Sequence, residues 1–129
     1  MTGLRTLLTL LAVHLVGDFV LQTDWMGSNK SKDATALLAH VSVYSAGFLF
    51  WGWVFCVLTF ILHLTVDAIT SRITAHFWRQ HTVGSAWNLR YGKFNPFVQP
   101  PAHWFFVGIG VDQFIHACCL AGVYWVLFR

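Results

Sequence analysis

The chain has 129 residues, of which 57% are hydrophobic and only 10% are charged, so it carries too little polar surface for a soluble globular protein. Its formal charge of +3 would suit a nucleic-acid partner. However, the lysines and arginines flank hydrophobic segments instead of forming a basic stripe, which argues against nucleic-acid binding. We therefore predict one transmembrane domain over residues 1–129, with the lipid bilayer as its partner.

Four apolar segments of membrane-spanning length follow one another along the chain, since a helix needs about 20 residues to cross the hydrocarbon core. They lie at residues 4–22, 34–51, 53–78 and 102–128. Trp51-Gly52-Trp53 is the expected turn between the second and third segments, and residues 79–101 form a long polar connection that could act as a substrate loop. The pattern predicts an all-α fold, an integral membrane four-helix bundle.

Tryptophans and cations indicate how the spans are oriented. Six of the seven tryptophans fall at predicted span ends, where aromatic side chains sit in the membrane interface. Most lysines and arginines lie on or near the two loops that share one side, and positive loops face the cytoplasm. We expect a multi-pass protein of the inner membrane with both termini outside, and an oligomer is possible.

Ionisable side chains recur inside the apolar segments. Histidine and aspartate stand four residues apart three times, and a further histidine lies in the second span: His14 and Asp18, His63 and Asp67, Asp112 and His116, and His40. Residues four apart share a helix face, and ionisable groups at membrane depth usually face the interior of a bundle. At about 1.5 Å per residue, all of them lie about 10–22 Å from the cytoplasmic span ends, which predicts a single layer.

Such a layer of imidazoles and carboxylates predicts a metal centre. Inward-facing histidines and carboxylates in a helix bundle can hold one or two ions, and mixed nitrogen and oxygen ligands suit Zn, Mn or Fe. The candidate ligands are His14, Asp18, His40, His63, Asp67, Asp112 and His116. The three aspartates are also candidate catalytic groups, although an aspartate beside a histidine could instead only orient the ring. A metal-free network of interhelical hydrogen bonds is the simpler alternative.

Polar residues near this layer predict where a substrate would bind. Thr59, Thr70, Ser71 and Thr74 follow the face of His63 on the third span, which predicts a water-accessible cleft open to the cytoplasm. The candidate contacts to an anionic substrate are Gln22, Lys30, Arg72 and Gln113.

The same residues resemble a family of small bacterial and phage-encoded integral membrane proteins of unassigned function. The resemblance rests on the pattern His14-x-x-x-Asp18-Phe19-x-x-Gln22, Lys30, His40, His63-x-x-x-Asp67 and Asp112-Gln113-x-x-His116, which runs from the first helix to the last. That family is similar to inner-membrane proteins described as metal-dependent hydrolases, so the resemblance implies hydrolysis at a metal site.

Together these observations favour a membrane-embedded metal-dependent hydrolase acting on a phosphoester or related bond of a lipid-linked or membrane-proximal substrate. A divalent-metal or proton translocator could use the same cluster. Haem ligation by paired histidines is a third possibility, which the three aspartates fit poorly. A non-catalytic phage or host membrane interaction protein is the remaining alternative.

Overall fold

The computed structural model describes the backbone of residues 3–90 and 102–128 and the side chains of residues 3–78 and 104–128. Within these ranges the secondary structure is helical and contains no strand, so the predicted all-α fold is confirmed. The helices are α1 (Gly3–Leu15), α2 (Asp24–Asn29), α3 (Ala34–Ala46), α4 (Trp53–Arg90) and α5 (Ala102–Phe128). A π-helical turn at Val16–Val20 continues α1, and a 3₁₀ turn at Leu49–Trp51 follows α3.

Three segments are long and apolar enough to cross a membrane, namely Gly3–Val20, Trp53–Trp78 and Trp104–Phe128. Large apolar side chains point outward from all three, as Leu8, Ile61 and Phe114 illustrate. Such a surface would be costly in water and ordinary in lipid. The chain therefore has the character of a membrane protein, while the kind of membrane and the sidedness of the termini stay predictions.

The second predicted span, at residues 34–51, is shorter than expected. Helix α3 has 13 residues, about 20 Å of rise, and ends at Ala46, after which the chain turns. Gly52 closes this turn with φ 105° and ψ 156°, a backbone conformation that is essentially confined to glycine. The turn at Trp51-Gly52-Trp53 lies where it was predicted, but the bundle of four spanning helices stays a prediction.

The predicted loop at residues 79–101 begins later than expected, because α4 continues to Arg90. Residues 79–90 are polar but contain no proline and a single glycine, so nothing in them stops a helix. These polar residues mark the end of the apolar part of α4, but the helix itself continues through them. The remainder of the predicted loop, residues 91–101, lies outside the described residues.

The helices pack around two adjoining layers. One layer is an apolar core made of Leu10, Tyr44, Phe48, Phe55, Leu120 and Val123. Gly17 allows α1 and α3 to approach closely, since a Cβ atom there would lie 3.1 Å from Cδ2 of Tyr44. The other layer holds the buried histidines and aspartates, so the core closes one side of the polar layer.

Candidate metal centre

Four buried side chains from three parts of the chain bring one ligand atom each to a common point. Asp18 comes from the π-helical turn, His40 from α3, and His63 and Asp67 from α4. Nε2 of His40 lies 3.0 Å from Oδ1 of Asp18, 3.2 Å from Oδ2 of Asp67 and 3.2 Å from Nε2 of His63. Nε2 of His63 lies 3.5 Å from the same Asp18 oxygen and 3.6 Å from the same Asp67 oxygen. We call these residues the first group.

These distances match the edges of a metal coordination tetrahedron. Ligand atoms placed tetrahedrally at about 2.0–2.1 Å from zinc are about 3.3–3.4 Å from one another. Five of the six distances within the first group run from 3.0 to 3.6 Å, and all six are at most 4.8 Å. Ordinary hydrogen bonds span about 2.7–3.2 Å, a range that includes the contacts of His40 but not those of His63 with the two aspartates. The first group could therefore hold a divalent cation with little rearrangement.

The imidazole of His63 is held in place by aromatic packing. Its ring stacks on Tyr44 at a centroid distance of 3.7 Å and on His116 at 4.0 Å. Asp67 follows one helical turn later on the same face of α4, as the sequence spacing predicts. Nδ1 of His40 and Nδ1 of His63 are buried without a hydrogen-bond partner in the described part of the chain, so the other nitrogen of each ring makes its polar contacts.

Asp67, Asp112 and His116 form a second group that shares Asp67 with the first. Nε2 of His116 lies 3.3 Å from Oδ1 of Asp67 and 3.3 Å from Oδ1 of Asp112. The two oxygens of Asp67 therefore face different groups, because Oδ2 points to His40 and His63. Asp67 is fully buried, whereas 14% of the Asp112 side chain is exposed.

His14 was a predicted ligand, but the structure places it outside both groups. Its Nε2 lies 2.9 Å from Oε1 of Gln113, a carbonyl oxygen that can only accept, so Nε2 of His14 carries the proton. Its Nδ1 then accepts from the hydroxyl of Tyr44, 3.1 Å away. With both ring nitrogens engaged, His14 has no lone pair for a metal and acts on Gln113 instead.

Gln113 connects His14 to the carboxylates of both groups. Its amide nitrogen donates to Oδ2 of Asp18 and to Oδ2 of Asp112, the latter at 3.3 Å. The Oδ1 atoms of these aspartates are left to face the histidines. Thr70, on α4 three residues after Asp67, also donates to Oδ1 of Asp112. Partners of this kind orient metal ligands and raise metal affinity.

Lys30 contributes the nearest positive charge. Its Nζ lies 3.0 Å from Oδ2 of Asp67 and 3.5 Å from Nε2 of His40. With neutral histidines, the three aspartates and this one ammonium leave two formal negative charges in the polar layer. A divalent cation would balance that charge.

A cleft of about 440 Å³ opens onto the polar layer from the side opposite the apolar core. Its floor contains Asp18, Lys30, Asp67, Asp112 and Gln113. Ser28, Ser31, Thr70, Ser71 and Thr74 form polar walls, and Phe19, Ala75, Trp78, Phe105 and Ile109 add apolar ones. The cleft thus offers charge at its base and both polar and apolar surface above it.

The predicted substrate contacts divide between the cleft and the outer surface. Gln22, Lys30 and Gln113 line the cleft, whereas Arg72 is exposed on α4 and is not among the lining residues. Arg72 follows Ser71 directly and so points about 100° away around the helix. Among the polar residues predicted on the face of His63, Thr59 lies buried at the apolar core instead of in the cleft.

Two cleft residues carry polar atoms that nothing in the described chain satisfies, Oε1 of Gln22 and Oγ of Ser71. The sequence pattern predicted Ser71 only as one of the polar residues on the face of His63. It predicted no contact between Thr70 and Asp112. The spacing of three residues from Asp67 to Thr70 is the signal that places both on one face.

Fold and site together define an all-helical protein of membrane character, with buried groups of histidines and aspartates that could hold a metal ion. The chain belongs to the family described as protein of unknown function (DUF3307), whose model matches residues 6–129. No curated protein and no solved structure is significantly similar to it. Membership of an uncharacterised family is therefore confirmed, and the similarity to metal-dependent hydrolases stays a prediction.

Proposed function

We propose that this protein is a membrane-embedded metal-dependent hydrolase that cleaves a phosphoester or related bond of a lipid-linked or membrane-proximal substrate. The observation that carries this proposal is that four ligand atoms, from Asp18, His40, His63 and Asp67, lie within 4.8 Å of one another next to the floor of a cleft. A buried polar site at the base of a largely preformed cavity is the usual form of a binding or active site.

The chemistry follows from what the floor and walls of the cleft can do. Asp18, His40, His63 and Asp67 would hold a divalent cation, which would supply a Lewis acid and, with water added as a further ligand, a nucleophile near neutral pH. In the hydrolysis of a phosphoester, the water oxygen bonds to phosphorus and the phosphorus–oxygen bond to the alcohol breaks. One proton of the water passes to a carboxylate of the floor and ends on the departing oxygen. Asp18, Asp67 and Asp112 are the carboxylates that lie there.

The walls of the cleft favour an amphiphilic substrate. Lys30 on the floor can bind an anionic head group, and the hydroxyl of Ser71 can donate to it, whereas Oε1 of Gln22 can accept from a hydroxyl group of the substrate. Phe105 and Ile109 provide apolar surface above the floor. Polar atoms that are buried without partners cost free energy, so a ligand that satisfies them gains affinity.

The apolar core weighs against the alternative of a translocator. Leu10, Phe48, Phe55 and Leu120 close the side of the polar layer that faces away from the cleft, and all four are buried. An ion crossing the membrane would need a polar path through that core. A cleft that is open on one side is sufficient for an enzyme, whereas a translocator needs access from both sides.

The test is phosphate release by the purified full-length chain in mixed micelles, with phosphatidate as the lipid probe and p-nitrophenyl phosphate as the water-soluble probe. Each probe is assayed with Zn, Mn and Fe in turn, and then with a chelator. His63→Ala removes a ligand, and Ile61→Ala is the matched control because Ile61 lies on the same helix with 53% of its surface exposed.

We expect release from phosphatidate that exceeds release from the soluble probe, that the chelator stops and that only His63→Ala abolishes. Activity that persists in His63→Ala would contradict the metal site. Metal-stimulated flux into liposomes without hydrolysis would show a translocator instead. If the effect of the protein on the cells that produce it is unchanged when His63→Ala is combined with Asp112→Ala, the protein acts by a non-catalytic interaction.

A further inference from the structure

The carboxylate of Asp67 is shared by two sets of ligand atoms. Its Oδ2 faces His40 and His63 of the first group, at 3.2 and 3.6 Å. Its Oδ1 faces His116 of the second group at 3.3 Å. A carboxylate that offers one oxygen to each of two neighbouring sites is the arrangement that bridges a pair of metal ions.

The second group is spaced at the long end of hydrogen bonding, at a separation that metal coordination would also give. Nε2 of His116 is 3.3 Å from an oxygen of Asp67 and 3.3 Å from an oxygen of Asp112. An imidazolium paired with either carboxylate would be expected at about 2.7–2.9 Å. Equal separations of 3.3 Å instead match the edges of a tetrahedron around an ion, about 3.3–3.4 Å.

Hydrogen bonds to Asp112 also support a second metal site. Thr70 donates to its Oδ1 and Gln113 donates to its Oδ2, so this carboxylate is fixed although it is partly exposed. Hydrogen-bonded ligands of this kind surround metal sites in proteins. Gln113 also donates to Asp18, so a single amide orients one carboxylate of each group.

We infer that the chain binds two divalent cations bridged by Asp67, the first at Asp18, His40 and His63 and the second at Asp112 and His116. This inference rests on the metal site of the proposed function and extends it. The first ion has four protein ligands. The second has three and faces the cleft through Asp112, which leaves a position for water or substrate, as catalytic sites do.

The test is the number of Mn(II) ions per chain, measured by elemental analysis of full-length protein in detergent after loading and removal of excess metal. Low-temperature electron paramagnetic resonance then shows whether the ions are magnetically coupled. His116→Ala removes only the second site and His40→Ala only the first. Phe114→Ala is the matched control, because Phe114 lies on α5 with 70% of its surface exposed.

We expect two coupled ions in the wild type and in Phe114→Ala, and one uncoupled ion in each histidine variant. One uncoupled ion in the wild type would overturn the inference, as would two ions retained by His116→Ala. A variant that fails to fold would lose both ions, but the wild-type spectrum alone still decides between coupled and single ions. Hydrolysis with one ion would defeat this inference and leave the proposed function, whereas two coupled ions without hydrolysis would do the reverse.

Discussion

Replacement of Gln113 by leucine tests whether one side chain positions both halves of the candidate metal centre. The change keeps roughly the same volume and removes the amide. In the structure that amide accepts from His14 at 2.9 Å and donates to the carboxylates of Asp18 and Asp112. Without it, both carboxylates can rotate and His14 loses the acceptor that fixes its proton.

The size of the effect follows from these contacts. Loss of a partner that orients a metal ligand typically costs about 10–100-fold in metal affinity. This corresponds to about 1.4–2.8 kcal/mol, close to the value of one hydrogen bond to a charged group. Because Gln113 holds one carboxylate of each group, we expect the loss at both sites and not at one.

The assay is competition with a chromophoric chelator for Zn or Mn in detergent. Phe114→Leu is the control, since it also introduces a leucine on α5, at the next residue, which is exposed. We expect weakened binding in Gln113→Leu and wild-type binding in the control. Equal affinities in wild type and Gln113→Leu would refute the positioning role, and a loss shared by both variants would indicate general damage to α5.

Three further predictions concern charge, metal and backbone. Lys30→Met should tighten metal binding at least about tenfold in the same titration, because Nζ of Lys30 lies 3.0 Å from a candidate ligand oxygen of Asp67 and like charges about 4 Å apart repel by several kcal/mol even at an effective dielectric of about 20; unchanged affinity would contradict this. Chelation should lower the thermal stability of the wild type, by about 2.7 kcal/mol relative to protein with free metal at about 100 times Kd, and should have a smaller effect on His63→Ala, which keeps only the second site. Gly52→Ala should cost about 1–3 kcal/mol in chemical unfolding, with metal affinity unchanged, because φ is 105° there.

The three histidine and aspartate pairs show which part of the site the sequence can predict. His63 and Asp67 lie on regular α4 and both belong to the first group, and Asp112 and His116 lie on regular α5 and both belong to the second. Spacing of four residues sufficed for these two pairs. The third pair is divided, since Asp18 belongs to the first group and His14 to neither, and the helix changes between the two residues.

That change is the π-helical turn at Val16–Val20, in which the N–H of Leu21 bonds to the carbonyl of Val16 at 2.9 Å. Asp18 lies within this turn and contacts His40 and His63. His14, which precedes the turn, contacts Tyr44 and Gln113. Local propensities contain no clear signal for such a turn, although π-turns often occur at functional sites.

The predicted ends of two helices were wrong for a related reason. Hydrophobicity reports where a helix meets lipid and not where its hydrogen bonding ends. The polar residues 79–90 were therefore predicted as loop although α4 continues through them to Arg90. Conversely, apolar residues after Ala46 were assigned to the second span although the chain turns there. The buried polar layer was easier to predict, because a charge within an apolar segment needs a partner wherever that segment ends.

The number of ions also decides what kind of substrate the cleft favours. With neutral histidines, the polar layer carries three carboxylates and the ammonium of Lys30, so one divalent cation makes its formal charge zero. With a net charge of zero, the floor would attract a phosphate group only through local contacts such as that of Lys30. A second ion bridged by Asp67 would raise the formal charge to two positive charges, which would balance the two negative charges of a phosphate monoester. The second site would therefore strengthen the preference for anionic head groups, and loss of His116 should reduce that preference along with the ion.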